Sequence, residues 1–152
     1  MTNSRIHHCL QPGVSVLVGT VDACGAPSCC RAVAFALTDD LEAMTVYNPV
    51  ATSHQAIQNI GTTKRLAVNV SHPIDHHSVQ FKGTTIDARL ARDDEAPLIR
   101  ARIEAFADTL EAVGVPRRVA RSVAHWPAFA VTMRVEQVFE QTPGPHAGTR
   151  LR

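Results

Sequence analysis

Residues able to do chemistry are sparse in this chain and fall into a few groups. Arg31 is the only charge between Pro27 and Leu37, so its guanidinium needs an anion, an acidic neighbour or open water. Its planar fork can present two donors at once to a phosphate, and it serves equally as a rim arginine with a covered aliphatic stem. Thr52, Ser53 and His54 open a short run of helical periodicity. A helix start offers backbone donors and a positive dipole end to the same kind of anion. Ser53 and His54 would add side-chain donors there; read locally, Thr52 or Ser53 is a helix cap and His54 faces solvent. Gln80 and Lys82 share a strand face, about 6.6 Å apart along it. That spacing suits two parts of an elongated ligand and also suits ordinary exposed polar positions.

The chain has eight histidines, which raises a metal reading at His7 and His8 beside Cys9 and at His72, His76 and His77 around Pro73. No spacing matches a zinc finger or the two-histidine zinc helix, and no metal is expected. Cys24 and Cys29 flank a turn, but no second cysteine pair follows to complete a zinc or iron–sulfur set. Adjacent Cys29 and Cys30 on one strand would point to opposite faces. Reduced thiols in a cytoplasmic protein are therefore expected, rather than a disulfide framework. The serine nucleophile elbow, the phosphate loop and the dinucleotide fingerprint are all missing, and no catalytic residue is assigned.

The elements that must position these groups read mainly as strands. Val14 to Val21 is β-branched and apolar at almost every position, and Asp22, Gly25 and Pro27 punctuate a turn after it, the pattern of a buried strand entering a hairpin. Ser28 to Leu37 and Ala43 to Tyr47 follow as strands. Thr52 to Ile60 switches to helical period, with capping-box spacing at Thr52 and Gln55 and Gly61 placed to end it. Leu66, Val68 and Val70 alternate with smaller or polar residues, and Pro73 stops that strand. Ser78 to about Ala91 is a longer strand with Gly83 inside it, a mark of a bulge or a close backbone approach.

Ile99, Ile103, Phe106, Leu110 and Val113 give the clearest amphipathic helix, over Asp94 to Val113, with Arg100, Glu104, Asp108 and Glu111 facing away. Pro116 opens a short following helix through Ala124, after Gly114. A last strand runs from Phe129 to Gln141, with Phe129, Val131, Met133 and Val135 on one side. Six strands with short connections do not make repeating βαβ units. The expected fold is mainly β (α+β), a six-stranded antiparallel split barrel with short peripheral helices.

Size and composition narrow the remaining possibilities. The 152 residues, 16.5 kDa, support one core, and residues 1–152 are expected to form a single domain. Hydrophobic residues at 45% and charged residues at 19% are those of a globular chain. Fifteen lysines and arginines against fourteen aspartates and glutamates give a net charge of +1, which offers no general attraction to nucleic acid or an anionic membrane. No apolar stretch approaches membrane-spanning length, and Met1 to Gln11 lacks the pattern of a signal peptide.

The order of these pieces resembles the flavin-binding split barrels of the pyridoxamine 5′-phosphate oxidase-like family. The resemblance spans Val14 to Gly148 and rests on Gly19-Thr20-Val21-Asp22, on Pro27 leading to Arg31, and on Tyr47 through Ser53 and His54 to Ile60. It also rests on Gln80 to Gly83 and on Phe139-Glu140-Gln141-Thr142-Pro143-Gly144-Pro145. It implies that Arg31, Ser53 and His54 hold the phosphate of FMN, with His54 in the approximate place of a family lysine. It implies further that Gln80 and Lys82 approach the flavin.

The implied protein is a homodimer with cofactors at the subunit interface and residues 142–152 as an extension at that interface. Its implied activity is flavin-dependent oxidation or reduction of a small organic substrate, with an electron donor. A non-enzymatic protein holding flavin, deazaflavin F420 or haem is the alternative. Trp126 and Arg150-Leu151 do not reproduce the substrate residues of the true pyridoxamine phosphate oxidases, which argues against vitamin B6 oxidation.

Overall fold

A computed structural model describes residues 2–152, with side chains from Ile6 onward. Seven strands form one antiparallel sheet: β1 (Ser15–Val21), β2 (Pro27–Ala32), β3 (Ala34–Leu37), β4 (Ala43–Pro49), β5 (Arg65–Ser71), β6 (Ser78–Leu90) and β7 (Ala128–Glu140). Four helices accompany them: α1 (Thr2–Cys9), α2 (His54–Thr63), α3 (Ala96–Ala112) and α4 (Arg117–Arg121).

The strand order is β2-β1-β5-β6-β7-β4-β3. Its two ends are the same stretch of chain, since only Val33 separates β2 from β3. The expected single strand from Ser28 to Leu37 therefore changes partner midway, pairing first with β1 and then with β4. The Val33 N–H donates to the Tyr47 carbonyl at 2.9 Å across that switch. The sheet thus closes on itself, and the six strands expected are present with the second divided in two.

Alternation along the strands fills the interior. Val16, Val18, Val68, Val70, Phe81 and Val138 are all buried in the main core. Val131, Met133 and Val135 join them from β7, with Phe129 packed alongside, as the sequence pattern requires. A second, smaller cluster lies outside the sheet, where Ile99 and Ile103 of α3 pack against Ala34, Tyr47, Ala128 and Ala130. The alanines let the helix come close. The outward acids of α3 meet α4, with Glu104 accepting from Arg121 at 2.7 and 2.9 Å and from Arg117 at 3.1 Å.

Three local features differ from the sequence reading. α1 was not expected, because its polar composition hides an Ile6–Cys9 pair, three residues apart, that is only 1% exposed and enters the core. α2 runs through Gly61 and stops at Lys64, which adopts a left-handed conformation (φ 57°) and donates its N–H to Ile60. The Thr52–Gln55 capping box does not form: Ser53 is the N-cap residue and makes no side-chain capping bond. No described helix is long and apolar enough to cross a membrane.

Candidate functional site

Strand register places the candidate residues. On the outward face, Arg31 lies across from Leu17, Leu17 from Asn69, Asn69 from Gln80, and Gln80 from Phe139. Two residues along each strand, the next outward row is Cys29, Gly19, Ala67, Lys82 and Gln137. Arg31, Gln80 and Lys82 therefore share one face of the sheet. Arg31 and Gln80 are three strand spacings apart, about 14 Å.

That second row is the floor of a groove of about 650 Å³. Its centre is bare, because Gly19 and Ala67 put almost nothing above the sheet. Val21 and Pro27 line one side; Arg65, Lys82, Glu136 and Gln137 give the rim its polar groups. A Cβ on Gly19 would meet only the Ala67 carbonyl oxygen, at an ordinary 3.9 Å. The backbone therefore has no need of a glycine there, and a mid-strand glycine without a structural reason marks a place where something else approaches the sheet.

Of the five residues singled out from sequence, Lys82 lines this groove, and its Nζ lies 4.7 Å from the centroid of the Phe139 ring. Gln80 is half-buried in the adjoining row. Arg31 donates to the Ser15 hydroxyl at 2.8 Å, and its guanidinium carbon is 5.7 Å from the centre of the Phe106 ring on α3. Those partners are neutral, so they leave its charge uncompensated. Ser53 is buried, with its hydroxyl donating to the Pro49 carbonyl at 2.5 Å, while His54 is exposed as the first residue of α2.

α2 itself is held against the barrel by Asn59, whose amide donates to the Thr20 hydroxyl at 3.0 Å, and by Thr63, whose hydroxyl donates to the Val21 carbonyl at 3.0 Å. The C-terminal half of the helix is thereby fixed relative to β1, the strand that carries Gly19.

The cysteines follow the expected alternation. Cys29 is exposed at the groove, whereas Cys30 turns inward, donates to the Asn48 side chain at 3.8 Å and has its thiol pushed up to about 11 by burial. All four are free thiols. Sequence reasoning missed Gly19 and Ala67 as site residues. The available signal was a glycine in the middle of an otherwise β-branched strand.

No family model and no curated protein matches the chain. Solved structures do. An F420 reductase is similar at TM-score 0.53 and 15% identity, covering 87% of this chain and 94% of that one. HutZ, the haem storage protein from Vibrio cholerae, is similar at TM-score 0.52 and 16% identity, covering 91% and 94%. A pyridoxamine 5′-phosphate oxidase-related, FMN-binding protein from Nostoc punctiforme is similar at TM-score 0.51 and 17% identity, covering 94% and 85%.

These likenesses define the class of fold: the split barrel of pyridoxamine 5′-phosphate oxidase-like proteins. Of these solved structures, one is named for binding FMN and the others for F420 or haem.

Proposed function

We propose that the protein binds FMN noncovalently in the outer groove and acts as a flavin-dependent oxidoreductase on a small organic substrate, as a cytoplasmic homodimer. The observation that carries this reading is the bare Gly19–Ala67 floor in a groove of about 650 Å³, a volume typical of cofactor sites. A flat ring system can lie on that floor where a side chain would otherwise stand.

Lys82 and Gln80 would meet polar edges of the ring. Arg31 lies two residues beyond Cys29 on the same strand, and its charge would be recruited to the phosphate by exchanging Ser15 and Phe106 for an anion. At the start of α2, backbone N–H groups and His54 would complete the anion site. The Ser53 hydroxyl would join only by leaving Pro49. FMN supplies hydride or electron transfer when bound; the chain positions the ring and limits water around it.

Flavin is favoured over histidine-ligated haem because no histidine is among the residues lining the groove. The dimer is supported by large apolar side chains left exposed outside the core, Leu17, Ile86, Leu90 and Trp126. Free cysteines fit a reducing compartment.

Native mass spectrometry combined with an absorbance spectrum tests the reading. A dimer carrying one FMN per subunit, with flavin bands that bleach on addition of a reduced nicotinamide donor, is the expected result. A Soret band, a deazaflavin spectrum or failure to take up added FMN overturns the cofactor. Bound flavin that no donor reduces leaves a binding protein without turnover and overturns the enzymatic part.

A further inference from the structure

A second cluster of reactive side chains lies away from the groove, where α1 meets the loop between β5 and β6. We propose that His8, Asp75 and His77 form a binding site for a divalent transition-metal ion of the zinc class, tying α1 to that loop.

Both supports are held in place by the fold. Ile6 and Cys9 anchor α1 in the core, which leaves His8, between them in sequence, on the exposed side. In the loop, the His72 and His76 N–H groups donate to the His77 and His72 carbonyls, each at 2.9 Å. The Asp75 carboxylate accepts from the His77 N–H at 3.1 Å. His76 takes a left-handed conformation (φ 62°), which turns the chain so that His77 and Asp75 face the same side.

Three imidazoles converge on that carboxylate. His8 Nε2 is 2.6 Å from Asp75 Oδ2, and His77 Nδ1 is 3.2 Å from Asp75 Oδ1. His72 Nδ1 stands 3.4 Å from the same oxygen, yet it is a buried nitrogen with no hydrogen-bond partner. The His8 ring centre lies 4.8 Å from that of His77 and 5.7 Å from that of His72. Ring nitrogens from three residues are thus gathered around one carboxylate.

The ligand atoms of His8, Asp75 and His77 lie within 4.8 Å of one another. Tetrahedral zinc bonds of ordinary length place ligands about 3.4 Å apart, so small rotations of exposed side chains suffice to close the site. Two imidazole nitrogens and one carboxylate oxygen are a donor set for zinc, copper, nickel or cobalt and not for calcium or magnesium. His72 would orient Asp75 from behind. Beside His77 is a cavity of about 220 Å³ that Thr142 and His146 also line, leaving the remaining coordination position to water.

The test uses the tag-free full chain after treatment with a chelator. Calorimetric titration with Zn²⁺ is expected to show saturable binding of one ion per chain, and Co²⁺ to give the visible bands of a tetrahedral nitrogen–oxygen site. His8→Ala and His77→Ala are each expected to weaken Zn²⁺ binding about tenfold or more, while His7→Ala, outside the cluster, leaves it unchanged. His8→Gln, which keeps a hydrogen-bonding group towards Asp75, replaces His8→Ala if that variant fails to fold. Absence of saturable binding, or binding that these substitutions do not weaken or that His7→Ala weakens equally, overturns the site.

Discussion

Two glycines sit in the middle of strands on the same sheet and answer to different demands. At Gly83, where β6 crosses β7, a Cβ would come within 1.9 Å of the Arg134 carbonyl oxygen, and the register shifts by one residue at that point. At Gly19, on β1, a Cβ would meet nothing closer than 3.9 Å. Both forgo side-chain packing and carry the entropy cost of glycine. Only Gly83 is required by the polypeptide. The contrast separates positions fixed by the fold from positions kept open for a ligand, and Gly19 belongs to the second kind.

The largest expected effect falls on the fold side. Gly83→Ala drives a methyl group into backbone and is expected to cost about 3 kcal/mol of stability, measured by urea unfolding. A loss below about 1 kcal/mol would mean that the β6–β7 crossing adapts and that the two glycines do not differ in kind.

On the ligand side, Arg31→Ala is expected to lower FMN affinity by about 1.5 to 3 kcal/mol, tenfold or more, with the unfolding midpoint nearly unchanged. Calorimetric titration with FMN reads the first and urea the second. Equal affinity in the variant and the parent would remove Arg31 from the phosphate site.

Glu95 provides a second fold-side position and, unlike Gly83, does not line the groove. Its carboxylate accepts from Arg89 at 2.7 and 2.9 Å, from the Arg92 N–H at 2.7 Å and from the Tyr47 hydroxyl at 3.0 Å. Arg89 chiefly, with the Arg92 N–H and Tyr47, pulls its pKa down to about 2 against the penalty of burial. A carboxyl depressed in the folded state stabilises fully above its unfolded value near 4.5 and loses that contribution as pH falls towards 2. About 3 kcal/mol is expected to disappear over that window. Glu95→Gln is expected to flatten this part of the stability profile while FMN affinity at neutral pH stays the same. An unaltered acid limb in the variant would show that the loss arises elsewhere.

The smallest effect distinguishes the glycines most cleanly. Gly19→Ala is expected to leave stability unchanged or to raise it by up to about 1 kcal/mol, because alanine restricts the unfolded chain and strains nothing at this position. A loss comparable to that of Gly83→Ala, measured by the same urea curves, would place both glycines on the fold side.

Much of the barrel was legible because strand alternation and turn residues are local. The Phe129–Val135 face and the opposite exposure of Cys29 and Cys30 follow from a period of two, and the bulge at Gly83 from a glycine inside a strand. The partner switch at Val33 left no local mark, since the residues on either side are equally apolar. Gly61 misled for a similar reason: it fits inside α2, and Lys64 ends the helix instead. Gln80 and Lys82 were legible as same-face residues, but that Arg31 joins them on that face, and how far away, depends on strand order. His8 and Asp75 meet across 67 positions, beyond the reach of any spacing rule. The anchor that brings them together, Ile6 with Cys9, is hidden in a polar segment.

The most direct measurement of the ligand-side claim is FMN titration of Gly19→Leu beside the parent protein, with circular dichroism and urea unfolding on both. The expected result is saturable binding by the parent and at least a hundredfold weaker binding by the variant, whose spectrum and unfolding midpoint remain close to the parent's. FMN binding of equal strength in a correctly folded Gly19→Leu would contradict it and place the cofactor elsewhere.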